Sequence, residues 1–332
     1  TIVSACNGNS SSNEIIYVNE LKEARIEKNE RENRASPHTI AFIPRVTGIP
    51  YYDAVLEGAR EASGDLDIEI VVPDAIAGYE DQIRAIEQFI AQNVEAIAIS
   101  AADPYKLIPV LKKAQQRQIK VITWDSDIDE TARDYFVNMV DSEMLGKHLM
   151  DMLASTINEK GEYAIISSSF HAASTNDWIK WMKIQQKQYY PDIKLLHIVP
   201  SNDNYDTAYQ VALRFLQDYP NLSAIVGVST VAPPAAARAV LEEGRQGKVL
   251  GLSLPNEMRE YIEAGVAENI TLWSPQKLGY LTVTLTRNIL NGKEPVDQQE
   301  IPNVGYIRVK DNVVVMGEPI IFTKENIKEY DF

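Results

Sequence analysis

A chain of 332 residues exceeds the length at which one hydrophobic core keeps growing, so two domains are expected, and 45% hydrophobic residues suffice to fill both. A formal net charge of −15 argues against a nucleic-acid surface, which needs clustered Lys and Arg, and no apolar run reaches the about 18 residues of a membrane-spanning helix. The single cysteine, Cys6, forms no intrachain disulfide and leaves cysteine-dependent metal or redox chemistry without ligands.

Near its start the chain carries Val3-Ser-Ala-Cys6, which resembles the end of a bacterial lipoprotein signal: an aliphatic residue, two small ones, then the cysteine that receives lipid. On this reading Cys6 is lipidated, and the charged and apolar parts of the signal precede residue 1. Asn7 to Asn13 is polar and reads as a flexible tether; the charged run Glu20 to Arg34 is helical or disordered. An unmodified cysteine in a polar tail is the competing reading.

From Thr39 onward strands and helices alternate. Thr39–Pro44 predicts a strand, and 53–63 a helix with Ala54, Val55, Gly58, Ala59 and Ala62 on one face. A strand over 67–72 and a helix over 80–92 follow. Ala96-Ile-Ala-Ile-Ser100 reads as a strand buried on both faces of a parallel sheet. Pro104 marks a helix start, with Leu107, Val110, Leu111 and Ala114 as its buried stripe. Ile119–Thr123 is the next strand. After Asp141 the alternation restarts: helices over 142–156, 176–189, 206–219 and 234–243, strands over 162–167, 194–199, 223–228 and 248–253. Two such sets predict an α/β chain of two doubly wound parallel-sheet domains.

Ligands in doubly wound sheets bind outside the carboxyl ends of strands. Four such ends are chemically rich: Arg45, Trp124-Asp-Ser-Asp127, Ser167 to Asn176, and Ser229-Thr230. An indole can cover the apolar face of a sugar while a carboxylate accepts from its hydroxyls, so Trp124 with Asp125 suggests carbohydrate binding. The competing role of Trp124 is packing against a buried strand, and that of Asp127 a turn. Arg45 offers a fixed fork of donors or forms a surface ion pair; Tyr51 or Tyr52 could cover an apolar face. Ser174 and Thr175 precede a helix and serve either as caps or as ligand contacts; Asn176 can donate and accept, and Asn256 after Pro255 is a further candidate or an N-cap.

Enzymatic readings lack their parts. No Gly-x-Gly-x-x-Gly or Gly-Lys-Ser/Thr phosphate loop occurs. The four histidines, at 38, 148, 171 and 197, have no paired spacing for a metal, so neither metal nor cofactor is expected. Asp125 and Asp127 share one short loop and cannot straddle a glycosidic bond.

Taken together, Ile40-Ala-Phe-Ile-Pro-Arg45, Ser100-Ala-Ala-Asp-Pro104, Thr123-Trp-Asp-Ser-Asp127, Pro234-Ala-Ala-Ala237, Pro255-Asn-Glu-Met-Arg259 and Asn326-Ile-Lys-Glu-Tyr-Asp-Phe332 resemble the type I periplasmic sugar-binding proteins of ABC importers. The resemblance runs from about Thr39 to Phe332 and is to the rhamnose-binding and autoinducer-2-binding branch. It implies a monomeric, non-catalytic extracytoplasmic protein that captures a sugar between two hinged domains and delivers it to a permease. A membrane is then met only through the lipid at Cys6. It also implies three chain crossings, near Asn138, near Trp273 to Gln276 and near Val304. The domains would be residues 38–138 plus 276–303, and 139–275 plus 304–332, after a tether over 1–37.

In autoinducer-2 receptors a basic residue follows Phe-Ile-Pro and an Asp follows Thr-Trp, positions held here by Arg45 and Asp125. The second half departs: Ser174-Thr175 stand where those receptors carry Asp-Gln, and Val228, Ser229 and Thr230 where they carry a Pro and an Ala around an Asp. Loss of that acid, together with Trp178-Ile-Lys-Trp181 and the stretch Leu272 to Tyr280, favours a rhamnose-like monosaccharide over autoinducer-2. Ligand contacts are accordingly expected from Arg45, Tyr51, Tyr52, Trp124, Asp125, Asp127, Ser174, Thr175, Asn176, Thr230, Asn256 and Gln276. The alternatives are an autoinducer-2 receptor of the same fold and a sensor that presents its ligand to a receptor kinase.

Overall fold

Side-chain alternation along short apolar strands sets the architecture. A computed structural model of the protein describes residues 38–245 and 248–332; Cys6 and the tether lie outside the described residues. In β1 (Thr39–Ile43), Ile40 and Phe42 enter one buried cluster while Ala41 and Ile43 enter another. β3 (Ala96–Ile99) divides in the same way, Ala96 and Ala98 against Ile97 and Ile99. A period of two with both sets apolar means a sheet covered on both faces.

The first lobe interleaves these strands with α1 (Pro50–Leu66), β2 (Glu69–Val71), α2 (Tyr79–Ala91), α3 (Ile108–Gln116), β4 (Lys120–Trp124) and β5 (Tyr135–Val140). The second lobe follows with α4 (Ser142–Thr156), β6 (Gly161–Ser167), α5 (Ala173–Tyr189), β7 (Ile193–Pro200), α6 (Tyr205–Asp218), β8 (Leu222–Gly227), α7 (Ala232–Glu242), β9 (Lys248–Gly251), α8 (Pro255–Glu263) and β10 (Asn269–Leu272). Then come α9 (Pro275–Leu290), the short strands β11 (Glu300–Ile301) and β12 (Gly305–Tyr306), β13 (Arg308–Lys310), β14 (Val313–Gly317) and β15 (Ile320–Thr323).

The first sheet runs β13-β14-β5-β4-β3-β1-β2 and is parallel except for β13 at its edge. The second runs β7-β6-β8-β9, all parallel, and β10 pairs antiparallel with β15 beside it. Strand order reverses about β1 in the first sheet and about β6 in the second, so each lobe has a crevice at its reversal point.

Two expectations are corrected. Strand β5 occupies Tyr135–Val140, where the resemblance implies a crossing near Asn138, so the chain leaves the first sheet only after Val140. The resemblance implies that residues 304–332 all belong to the second domain, but β14 hydrogen-bonds along β5 and carries β13 with it; of β13, β14 and β15 only β15 joins the second lobe. The chain therefore passes from one lobe to the other after β5, between β10 and α9, which packs on α1, and between β14 and β15.

Helix α1 starts earlier than its apolar stripe suggested. Pro50 sits in its first turn, where a missing N–H costs nothing, and this draws Tyr51 and Tyr52 into the helix. Its crossing with α9 is made by glycines: a Cβ on Gly58 would fall on the backbone carbonyl of Gln276, and one on Gly279 on the carbonyl of Val55. Gly64, in the same helix, faces open space. Gly58→Ala is therefore expected to destabilise the protein by about 1–3 kcal/mol through overpacking. Gly64→Ala should stabilise it by about 0.5–1 kcal/mol through helix propensity. Urea unfolding of the two variants checks both signs.

Candidate functional site

The two crevices meet in one cleft. Arg45 follows β1, Ser100 follows β3 and Asp125 follows β4; opposite them Ser168 follows β6, Asp203 follows β7, and Val228, Ser229 and Thr230 follow β8. Tyr51 and Tyr52 come from α1, Ser174, Thr175 and Trp178 from α5, and Trp273 from the crossing before α9. Together with Ile49, Leu252 and Leu272, all of these residues except Ser100, which lies behind Asp125, bound about 490 Å³ of space, part of it open to solvent.

Asp125 is the centre of the first-lobe half. Its backbone is left-handed, with φ of 61°, a conformation that Asp tolerates better than most residues, and this turns the side chain out of the strand direction. The carboxylate is 8% exposed and accepts from three hydroxyls: Tyr51 on Oδ1 at 2.9 Å, and Ser100 and Tyr52 on Oδ2 at 2.8 and 3.3 Å. Trp273 Nε1 donates to the Tyr51 hydroxyl at 3.0 Å, which fixes that hydroxyl as donor to Asp125. Burial, and then the neighbouring Asp125, push the Tyr51 phenol well above its ordinary value, so it stays a neutral donor.

Arg45 ties the lobes together. Its Nε donates to Tyr52 at 2.7 Å, Nη1 to Ser168 at 2.9 Å, and Nη2 lies 2.7 Å from Asp203. Burial alone would lower the guanidinium, but Asp203, Tyr52 and Asp125 outweigh it and hold the group charged. A second crossing contact comes from Ser174, whose hydroxyl donates to the backbone carbonyl of Asp125 at 2.8 Å. Ser174 is therefore not a cap: α5 starts at Ala173, its N-cap position is Ala172, and the Ser174 hydroxyl is used across the cleft.

One wall is aromatic. Trp178 lies 5.8 Å from Trp273, and Trp273 stands edge-on to Tyr51 at 6.1 Å. Nine buried polar side-chain atoms among the described residues have no hydrogen-bond partner in the protein, and three of them, Ser126 Oγ, Trp178 Nε1 and Ser229 Oγ, belong to residues that line this cleft. Buried polar groups are rarely left unpaired, since each costs about 1–3 kcal/mol.

Of the residues expected at a ligand, Arg45, Tyr51, Tyr52, Asp125, Ser174, Thr175 and Thr230 line the cleft. Five stand elsewhere. Trp124 is fully buried and stacks on Phe42 with ring centroids 4.9 Å apart. Asp127 accepts from Thr123 and, at 2.8 Å, from Arg133. Asn176 donates to the carbonyl of Phe170, and Asn256 to Asp331 of the C-terminal segment, while Leu254 rather than Asn256 is the N-cap of α8. The Gln276 side chain accepts from Ser274 at the start of α9. Ser126, Ser168, Trp178, Asp203, Ser229 and Trp273 were not among the expected ligand contacts. The strand-end rule would have found Asp203, since Ser201-Asn-Asp203 directly follows an apolar strand.

Burial pushes the Asp125 carboxyl up from its ordinary value of 3.8, against the opposing pull of Arg45 and the Ser100 and Tyr51 hydroxyls. Between the ordinary and the raised value the native state then holds more protons than the unfolded chain. Stability from this group consequently falls as pH rises through that window. Asp125→Asn cannot ionise and loses this dependence. Melting temperatures of both proteins across acid to neutral pH should show the variant gaining on the wild type as pH rises above about 4.

Residues 40–294 match the family model described as a periplasmic binding protein domain. Among solved structures, an ABC transporter solute-binding protein from Clostridium phytofermentas with bound L-rhamnose is 28% identical. It superposes with a TM-score of 0.84, over 89% of this chain and 98% of that one. LsrB from Clostridium saccharobutylicum, in complex with AI-2, is 26% identical with a TM-score of 0.83, over 89% and 100%. The ABC transporter periplasmic-binding protein YphF of Escherichia coli is 21% identical over 276 residues, 79% of this chain and 83% of that protein.

Proposed function

The chain belongs to the periplasmic binding protein family, and from that premise we propose that it captures one rhamnose-like monosaccharide between its lobes, outside the cytoplasm, and delivers it to an ABC importer. The observation that carries this reading is the set of unpartnered polar atoms, Ser126 Oγ, Trp178 Nε1 and Ser229 Oγ, on residues lining an aromatic-walled cleft beside Asp125. A polyhydroxylated ligand supplies both donors and acceptors, so it can satisfy two hydroxyls and an indole N–H at once. A sugar also has an apolar C–H face for the Trp178 and Trp273 wall. Ile49, Val228, Leu252 and Leu272 offer apolar contact to the methyl of a deoxy sugar.

The chemistry required is binding without turnover. Hinge closure removes ligand hydroxyls from water, and each must then find a partner or cost about 1–3 kcal/mol. Asp125 has its orientation fixed before a ligand arrives, because three hydroxyls hold it. Pre-organisation of this kind lowers the entropic cost of binding.

Autoinducer-2 is the second reading, supported by the likeness to LsrB. Calorimetric titration with L-rhamnose, other pentoses and hexoses, and autoinducer-2 separates the two: L-rhamnose or a near relative should bind with one site, and autoinducer-2 binding with silence toward every sugar would reverse the ranking. Asp125→Ala should abolish binding while the protein stays folded. Trp178→Phe keeps an aromatic face, though a smaller one, and removes the N–H, and should weaken binding about tenfold or more, the loss of one hydrogen bond to a buried donor plus part of the apolar contact.

The Val3-Ser-Ala-Cys6 string supports anchorage of this protein to a membrane by lipid on Cys6. In cells making the protein with its export signal, Cys6→Ser should move it from the membrane to the soluble fraction. Identical fractionation of both forms would refute the anchor.

A further inference from the structure

Strand β7 is followed directly by Ser201-Asn202-Asp203, and the last two residues both adopt left-handed backbone, with φ of 53° and 54°. Asn and Asp are the side-chain-bearing residues that tolerate this conformation best. Here it accompanies a carboxylate that reaches across the cleft. Asp203 lies 2.7 Å from Arg45 Nη2, and both side chains are largely buried, at 13% and 15% exposure. Screening by salt is weak for such a pair.

Arg45 has a partner on each of its three nitrogens: Tyr52 on its own lobe, and Ser168 and Asp203 on the other. Ser168 also donates to Asp203, at 3.3 Å, so the two second-lobe partners are themselves joined. Tyr52 passes the connection on to Asp125. A second cavity adjoins the cleft, lined by residues 46–50 of the first lobe and Asn202, Asp203, Asn204 and Tyr205 of the second. It shares Ile49, Asp203 and Thr230 with the cleft, so Asp203 lies at the boundary between the two spaces.

We propose that Asp203 is an inter-lobe latch: it pairs with Arg45 to hold the lobes closed without help from a ligand, and it positions Arg45 over the cleft. Opening breaks the Arg45 contacts to Ser168 and Asp203 together and leaves Arg45 attached to Tyr52 alone. Asp203 therefore sets the open-to-closed ratio, and through it the fraction of molecules in which Arg45, Asp125 and the second-lobe hydroxyls surround one space. The latch does not depend on which solute the cleft takes.

Spin labels on Tyr105→Cys and Phe170→Cys report the opening. These residues are 74% and 65% exposed and follow β3 and β6, one on each lobe. The labels go into the full chain with Cys6→Ser, refolded to strip any co-purified solute, and distances are read by pulsed dipolar spectroscopy with no ligand added. The background protein should show one dominant short distance. Asp203→Ala should raise the open-to-closed ratio about tenfold or more, the least expected from removing one partner of a buried pair. Asp203→Asn keeps the shape and loses the charge, so it should give an intermediate distribution; it also stands in should the Ala variant fail to fold by its melting curve. Distances unchanged in either folded variant would overturn the latch. So would a background protein already open before Asp203 is altered. Neither result bears on whether a sugar binds, which the titrations decide separately.

Discussion

A carboxylate buried at a strand end is the constraint around which this cleft is arranged. Asp125 loses nearly all contact with water, and an isolated buried charge of that kind would neutralise itself or unfold its surroundings. The chain answers with three donors from two elements: Ser100 after β3, and Tyr51 and Tyr52 in the first turn of α1. Pro50 starts the helix that carries both tyrosines, and Gly58 lets α9 approach α1 closely, next to the crossing that holds Trp273. Trp273, at the end of the crossing into α9, then fixes the Tyr51 hydroxyl. Backbone, helix packing and the crossing thus converge on one polar group.

The same arrangement makes the cleft depend on both lobes. Arg45 belongs to the first sheet, yet two of its three side-chain contacts are to the second. Ser174 belongs to the second, yet its hydroxyl is committed to the backbone of Asp125. Each lobe alone would leave polar groups of the other without partners, which favours closure wherever water is excluded. The reversal of strand order in each sheet is what brings these particular loops to the interface, since loops elsewhere along a sheet diverge to opposite faces.

Local pattern carried most of the fold. β1, β3 and β4 and the helices between them follow from apolar periodicity, because each is buried by neighbours close in sequence. β14 does not: Val313–Gly317 pairs with Tyr135–Val140, roughly half the chain away in sequence, and that long-range pairing is what puts it in the first sheet. In the cleft, Arg45 and Asp125 were legible as charged residues at the ends of apolar strands. Trp124 and Asp127 shared the same signal and proved to be support, since a strand's alternation decides which neighbour faces the core and no composition rule does. Trp273 and Ser126 were invisible for the opposite reason: an indole beside a helix start and a serine in a turn look like ordinary packing and turn chemistry until the second lobe closes over them.

Asp203 changes the reading of the second half of the cleft. The departure at Ser174 and Thr175 suggested that this lobe had lost its acid, yet β7 supplies one from another strand end. That carboxylate does not restore a free acceptor, because Arg45 already occupies it at 2.7 Å. The second lobe therefore presents hydroxyls, an indole N–H and aliphatic surface, while the one carboxylate without a cation in direct contact is Asp125 on the first. With Arg45 and Asp203 paired, the remaining negative charge of the cleft lies in a low-dielectric setting. An anionic sugar such as a uronate would be repelled there, and a neutral polyol would be accepted. On the proposed reading, discrimination among neutral sugars falls to the second lobe, where Ser229 and Trp178 would reward a hydroxyl and Val228, Leu252 and Leu272 its absence.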